Sequence, residues 1–140
     1  MMRCSCLVYA IVLVSLCACS PTPETVAKDM KLKTDTNLKI DNPFREQIRA
    51  AVIESASRPE GFVILGENEM TYIQTAANNY RFVVEYQEGT LAKHYRAKGT
   101  LSSDEVVELF FSYCARGHEW KSAVIWESAP IESHPWWKFW

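Results

Sequence analysis

Residues 80–97 read YRFVVEYQEGTLAKHYRA, and their pattern decides the fold. Tyr80, Phe82, Val84 and Tyr86 alternate with Arg81, Val83, Glu85 and Gln87. A period of two places the first set on one face of a strand and the second on the other. Glu88-Gly89 supplies a hairpin turn, and LAKHYRA (91–97) returns as the partner strand. A two-residue loop pairs Phe82 with Tyr95 and Tyr86 with Leu91, so aromatic and aliphatic groups share one face.

Working outward from this hairpin, GFVILG (61–66) is a short apolar run that reads as a buried strand, and MTYIQTA (70–76) is rich in β-formers. Turns are expected at Gly66-Glu67-Asn68 and at Asn78-Asn79. Upstream, Asn42-Pro43 has the chemistry of a helix start, and Phe44, Ile48, Val52 and Ala56 recur every four residues as one apolar face. Arg58-Pro59-Glu60-Gly61 ends that helix. Downstream, Ser102-Ser103-Asp104-Glu105 is a capping box, followed by a buried stripe of Val106, Leu109, Phe110 and Tyr113 and a stop at Gly117. Trp120 opens a connector, and AVIWES (123–128) is a last strand. The order is α-β-β-β-β-α-β. Short links favour antiparallel pairing, so the expected fold is α+β, a single antiparallel sheet of about five strands with two helices packed on one face.

The N-terminus reads as an address. The strongly apolar run Leu7–Cys19 is thirteen residues long, short of the roughly 20 that cross a bilayer. Arg3 precedes it and small residues end it, the layout of a secretory signal. Leu16-Cys17-Ala18-Cys19 resembles the lipobox of bacterial lipoproteins. The resemblance implies cleavage after Ala18, acylation of Cys19 and attachment to the membrane by lipid. Ser20, where an Asp would favour inner-membrane retention, leans the destination to the outer membrane, facing the periplasm. The chain then divides into a signal at 1–18, lipidated Cys19 with a tether through residue 41, an α+β domain at 42–128, and an aromatic tail at 129–140. The tether assignment rests on composition: residues 20–41 carry two prolines, several threonines and alternating charges, with few apolar groups.

Charge and cysteine usage narrow the role. Fifteen basic residues stand against seventeen acidic ones, which argues against a nucleic-acid partner. Of five cysteines, only Cys114 remains once the signal and Cys19 are set aside. No internal disulfide can then form, and Cys114 reads as a small core residue beside Phe110 and Phe111. His94, His118 and His134 have no metal-ligand spacing, and neither a Gly-rich phosphate loop nor a G-x-S-x-G turn is present. No metal or cofactor is expected. A Ser, His and Asp set assembled only in space stays open.

Three groups of residues stand out. Glu67, Glu69, Glu85 and Glu88 recur along the hairpins, where paired acids do acid–base work if their environments differ. Arg81, Glu85, His94 and Arg96 fall on the solvent face of the central hairpin and form a candidate binding patch. The tail HPWWKFW (134–140) brings Trp136, Trp137, Phe139 and Trp140 together with one Lys. Such a tail suits a membrane interface, a protein partner, or return over the open sheet face.

EYQEG (85–89), HYRA (94–97), Trp120-Lys121 and Trp126 are together similar to a scattered set of small bacterial proteins with an EYxEG turn, an HYRA-like strand and a W-(K/R)…W ending. Some proteins of that size and look are immunity proteins of bacterial toxin systems. The resemblance implies a binding role and brings no catalytic residues. The expectation is a non-enzymatic lipoprotein that binds a protein partner at the cell envelope, an immunity-type inhibitor being one version. The alternatives are an envelope small-ligand binder or hydrolase-like enzyme using the Glu67, Glu69 and His94 region, and a structural lipoprotein with a lipid-contacting tail.

Overall fold

A computed structural model describes residues 28–129. In chain order the elements are β1 (Lys31–Thr34), β2 (Lys39–Asp41), α1 (Arg45–Ala56), β3 (Phe62–Asn68), β4 (Thr71–Asn78), β5 (Arg81–Glu88), β6 (His94–Ala97), α2 (Ser103–Cys114), α3 (Glu119–Ala123) and β7 (Trp126–Ser128). The strands form one antiparallel sheet in the order β2-β1-β3-β4-β5-β6-β7, leaving β2 and β7 at its edges. The fold is α+β as expected, with seven strands and three helices among the described residues instead of five and two.

Both extra strands come from residues assigned to the tether. Residues 31–41 are a hairpin, with Leu32 opposite Ile40 and then Leu65 on the far side. Lys31-Leu32-Lys33-Thr34 alternates, so one leucine reaches the core and the lysines point the other way. Met30 and Leu32 are both essentially solvent-free. Low apolar content misled because a strand needs only every second residue apolar. The Arg58 guanidinium fastens this hairpin to the end of α1 with two bonds to the Asp35 carboxylate, at 2.7 and 2.9 Å. The same guanidinium holds the Asp35 carboxyl below its ordinary value.

Helix α1 starts two residues later than its Asn-Pro signal. Phe44 is the N-cap, and the Gln47 side chain accepts its backbone N–H at 2.8 Å. Asn42 instead accepts the N–H of Asp29 at 2.7 Å and adopts a positive φ of 52°. Its acceptor is spent on closing the hairpin. The capping box of α2 is as read: Ser102 accepts from the Glu105 N–H at 3.3 Å, and Glu105 accepts from the Ser102 N–H at 2.7 Å. Ser102→Ala is expected to cost about 1 kcal/mol, read as a lowered urea midpoint with unchanged slope.

The turns differ in detail. Asn79 and Tyr80 both have positive φ, 49° and 63°, and link β4 to β5 as a two-residue turn. Tyr80 therefore sits in the turn, 87% exposed, and not on the strand face with Phe82. Beyond β5 the loop is longer than two residues: Tyr86 pairs with Tyr95, Glu85 with Arg96 and Gln87 with His94. Leu91 lies exposed in that loop, and Phe82 bridges to Leu101 instead. The register is displaced by four residues from the expected one. An even displacement keeps each side chain on its face.

The core lies between one sheet face and the helices. Ile48 and Val52 of α1 and Val106 and Phe110 of α2 meet Leu32, Val63, Leu65, Ile73, Phe82 and Val84. At the β6–β7 end an aromatic cluster closes the layer. Tyr86 stacks on Tyr95 at 4.8 Å, and Trp120 meets Tyr86, Tyr113 and Trp126 edge-on at 4.7, 5.2 and 5.8 Å. Trp120 reaches this cluster from α3, where the sequence suggested a plain connector. Cys114 packs in the core, and burial pushes its thiol up to about 12, so it is no nucleophile at neutral pH.

A candidate binding face on the helix-free side of the sheet

Residues that alternate with the core residues share the opposite face. The register aligns them in rows across the strands. One row runs Lys39, Lys33, Ile64, Gln74, Glu85, Arg96, Glu127. The next runs Asp41, Lys31, Gly66, Tyr72, Gln87, His94.

Glu85 is at the centre. Its Oε1 lies 3.0 Å from Arg96 Nε, its Oε2 lies 3.5 Å from His94 Nε2, and Gln74 Nε2 donates to Oε2 at 3.5 Å. The other His94 nitrogen, Nδ1, is 3.0 Å from the Ala129 carbonyl oxygen. A carbonyl can only accept, so Nδ1 carries the proton. Neutral His94 then turns a lone pair toward the carboxylate, and one proton placed between Nε2 and Oε2 satisfies both. Burial raises the Glu85 carboxyl to about 6 against the opposing pull of Arg96 and Gln74, and burial lowers His94. Alongside, the Tyr72 hydroxyl donates to Gln87 Oε1 at 3.4 Å, and Gln87 Nε2 donates to the Met70 carbonyl at 3.3 Å.

The expected solvent-facing patch needs correction. Glu85, His94 and Arg96 do come together, but Glu85 is 1% and His94 5% exposed. An alternating strand shows which residues share a face and gives no sign of what covers it. Arg81 is not part of the group. It sits at the other end of β5, donates to the Thr100 carbonyl at 2.6 Å, and lies 3.9 Å from Glu105. The four carboxylates do not converge either. Glu67 pairs with Arg116 at 3.5 Å, and Glu88 pairs with Lys121. Glu67 follows Gly66, which is three strand spacings from His94 along its row, roughly 14 Å. Glu67, Glu69 and His94 therefore form no shared acid–base site.

A feature invisible to the sequence reading occupies the other end of the face. Lys31, Lys33, Lys39, Asp41, Glu67, Glu69 and Tyr72 line an open groove of about 500 Å³ against β1 and β2. The paired alternation Lys31-Leu32-Lys33 and Lys39-Ile40-Asp41 was the available signal, hidden once those residues were read as tether. Among the described residues, no three His, Cys, Asp or Glu side chains are placed to hold a metal ion, and no helix is long and apolar enough to cross a membrane. The lipobox with Cys19 and the tail residues Trp136, Trp137, Phe139 and Trp140 lie outside the described residues.

No family model matches the chain, and neither the curated proteins nor the solved structures give a significant match. The fold itself defines the class: among the described residues, an α+β domain with one open antiparallel sheet, its helices on one face and a charged groove at the β1–β2 end of the other.

Proposed function

We propose that this chain is a lipid-anchored, non-enzymatic binding domain of the bacterial cell envelope that recognises a protein partner through the helix-free face of its sheet. The observation that carries the reading is the groove at the β2-β1-β3 end, where Lys31 and Lys39 are exposed beside Asp41, Glu67 and Glu69. Interspersed charges of both signs favour a partner of complementary pattern, and they set specificity and association rate more than bulk affinity. The lipobox resemblance supports the anchor, and the spread of the acidic residues away from His94 favours binding over hydrolysis. An immunity-type inhibitor is one concrete form of such a module.

The test is capture from native envelope extract with tagged chain 20–140, followed by titration of the isolated partner. A stoichiometric protein whose affinity falls at least tenfold with Lys31→Glu plus Lys39→Glu, in a variant of unchanged stability, supports the reading. Absence of any such protein, or unchanged affinity in the double variant, overturns it.

A further inference from the structure

Glu105, Glu108, Leu109 and Ser112 of α2 fall at i, i+3, i+4 and i+7, one continuous stripe of the helix. Together with Leu101 and α3 they bound a second open groove, of about 400 Å³. It lies in the helix layer, on the opposite side of the sheet from the β1–β2 groove. Its floor is apolar and made by Leu101, Leu109 and Val124. Its rim is acidic and made by Glu105, Glu108 and Glu119, and among the described residues no Lys or Arg lines it.

The three carboxylates are not equivalent. Glu105 is engaged: it accepts the Ser102 N–H at 2.7 Å and lies 3.9 Å from Arg81. Glu108 and Glu119 are exposed, and among the described residues neither has an ion pair. Glu67, Glu88 and Glu127 each have one. The helix dipole gives no reason for Glu108, which stands beyond the first turn of α2. Gly117 makes room for the Glu119 carboxylate. Its φ is not positive, so the backbone does not require a glycine, but a Cβ there would run into Glu119 Oε2.

We propose that this groove docks a basic segment of another protein, in which one aliphatic side chain is bracketed by Lys or Arg. The aliphatic group covers Leu101, Leu109 and Val124 and takes apolar surface out of water. The flanking cations meet Glu108 and Glu119, their methylene stems lying along the apolar floor while their charged ends reach the rim. From Glu105 to Ser112 the stripe rises about 10 Å along α2, room for about three residues of extended chain. The charge selects the occupant. An acidic segment is repelled, and an uncharged apolar one strips water from carboxylates without replacing it. A bilayer surface carries anionic headgroups, the wrong sign for this rim. The inference depends neither on the lipid anchor nor on a partner in the β1–β2 groove, which opens on the other side of the sheet.

The experiment titrates the isotope-labelled full chain with the blocked peptide acetyl-Gly-Lys-Leu-Lys-Gly-amide and follows backbone amide chemical shifts. Saturable shifts centred on Glu108, Leu109 and Val124 are expected. Glu108→Gln plus Glu119→Gln should weaken the peptide about fivefold or more. Both side chains are exposed, so the double variant keeps its fold, checked by an unchanged thermal midpoint. Replacing the peptide's Leu by Ser should also weaken it about fivefold or more, and replacing both Lys by Glu should abolish binding. Absence of saturable shifts at those three amides, or an unchanged Kd in the double variant, overturns the proposal. Equal binding of the Ser peptide, or of spermidine, would mean that charge alone is read, and overturns it as well.

Discussion

Trp120→Ala is expected to lower stability by about 4 kcal/mol, the size of loss seen when a large aromatic leaves a core that cannot close behind it. Trp120 is 4% exposed and is the ring that joins α3 to α2 through Tyr113 and to the sheet through Tyr86. Its removal leaves Tyr86 without an edge-on partner from α3. Domains of this size hold only about 5–15 kcal/mol in total, so the thermal midpoint should drop by roughly 20 °C. Trp126→Phe is the matched control. Trp126 is only half-buried, and its enclosed indole N–H has no acceptor among the described residues, so the loss should stay below about 1 kcal/mol. Equal losses in the two variants, measured by urea denaturation, would show that the cluster is not organised around Trp120.

The second large effect depends on pH. Arg96→Met removes the guanidinium beside a buried carboxylate. Truncating one partner of a buried pair typically costs about 3–5 kcal/mol. Arg96 is 39% exposed, so solvent screens part of this and about 2 kcal/mol is expected at pH 8. Glu85 has its carboxyl raised to about 6, which means the folded protein holds that proton more tightly than the unfolded chain. Its contribution to stability is therefore fullest below the ordinary carboxylate range and falls as pH rises through about 6. Without Arg96 the value climbs further. At pH 5 Glu85 is protonated in the variant, and the cost should shrink below about 1 kcal/mol. His94 is lowered partly by Arg96. On its own it adds stability as pH rises through its ordinary value, and removing Arg96 relaxes that penalty at low pH, in the same direction. A loss that is the same at pH 5 and pH 8 would mean that Glu85 is not the group Arg96 serves.

Much of the sheet was legible because alternation is a local property. The strand face Phe82, Val84 and Tyr86 and the α2 stripe Val106, Leu109, Phe110 and Tyr113 are all buried, and the Ser102–Glu105 cap forms as its spacing implies. What was not legible depended on partners distant in sequence. Nothing near Leu32 announces Leu65 as its neighbour, so a real strand passed for a tether. Loop length between β5 and β6 is set by the Glu88 N–H bonding to the Lys93 carbonyl, which no turn motif encodes. At the site, sequence placed Glu85, His94 and Arg96 on one face but gave no means of telling a wet face from a dry one. Arg81 shares that face in principle and was separated by distance along the strand.

The two edges of the sheet carry a consequence for the protein in a crowded compartment. β2 and β7 are three residues each, with Lys39, Asp41 and Glu127 among their side chains. Strands that short, and that charged, offer too little exposed backbone to template another chain. Copies brought together at high local concentration would thus resist zipping into fibrils, and a visitor must approach the domain broadside.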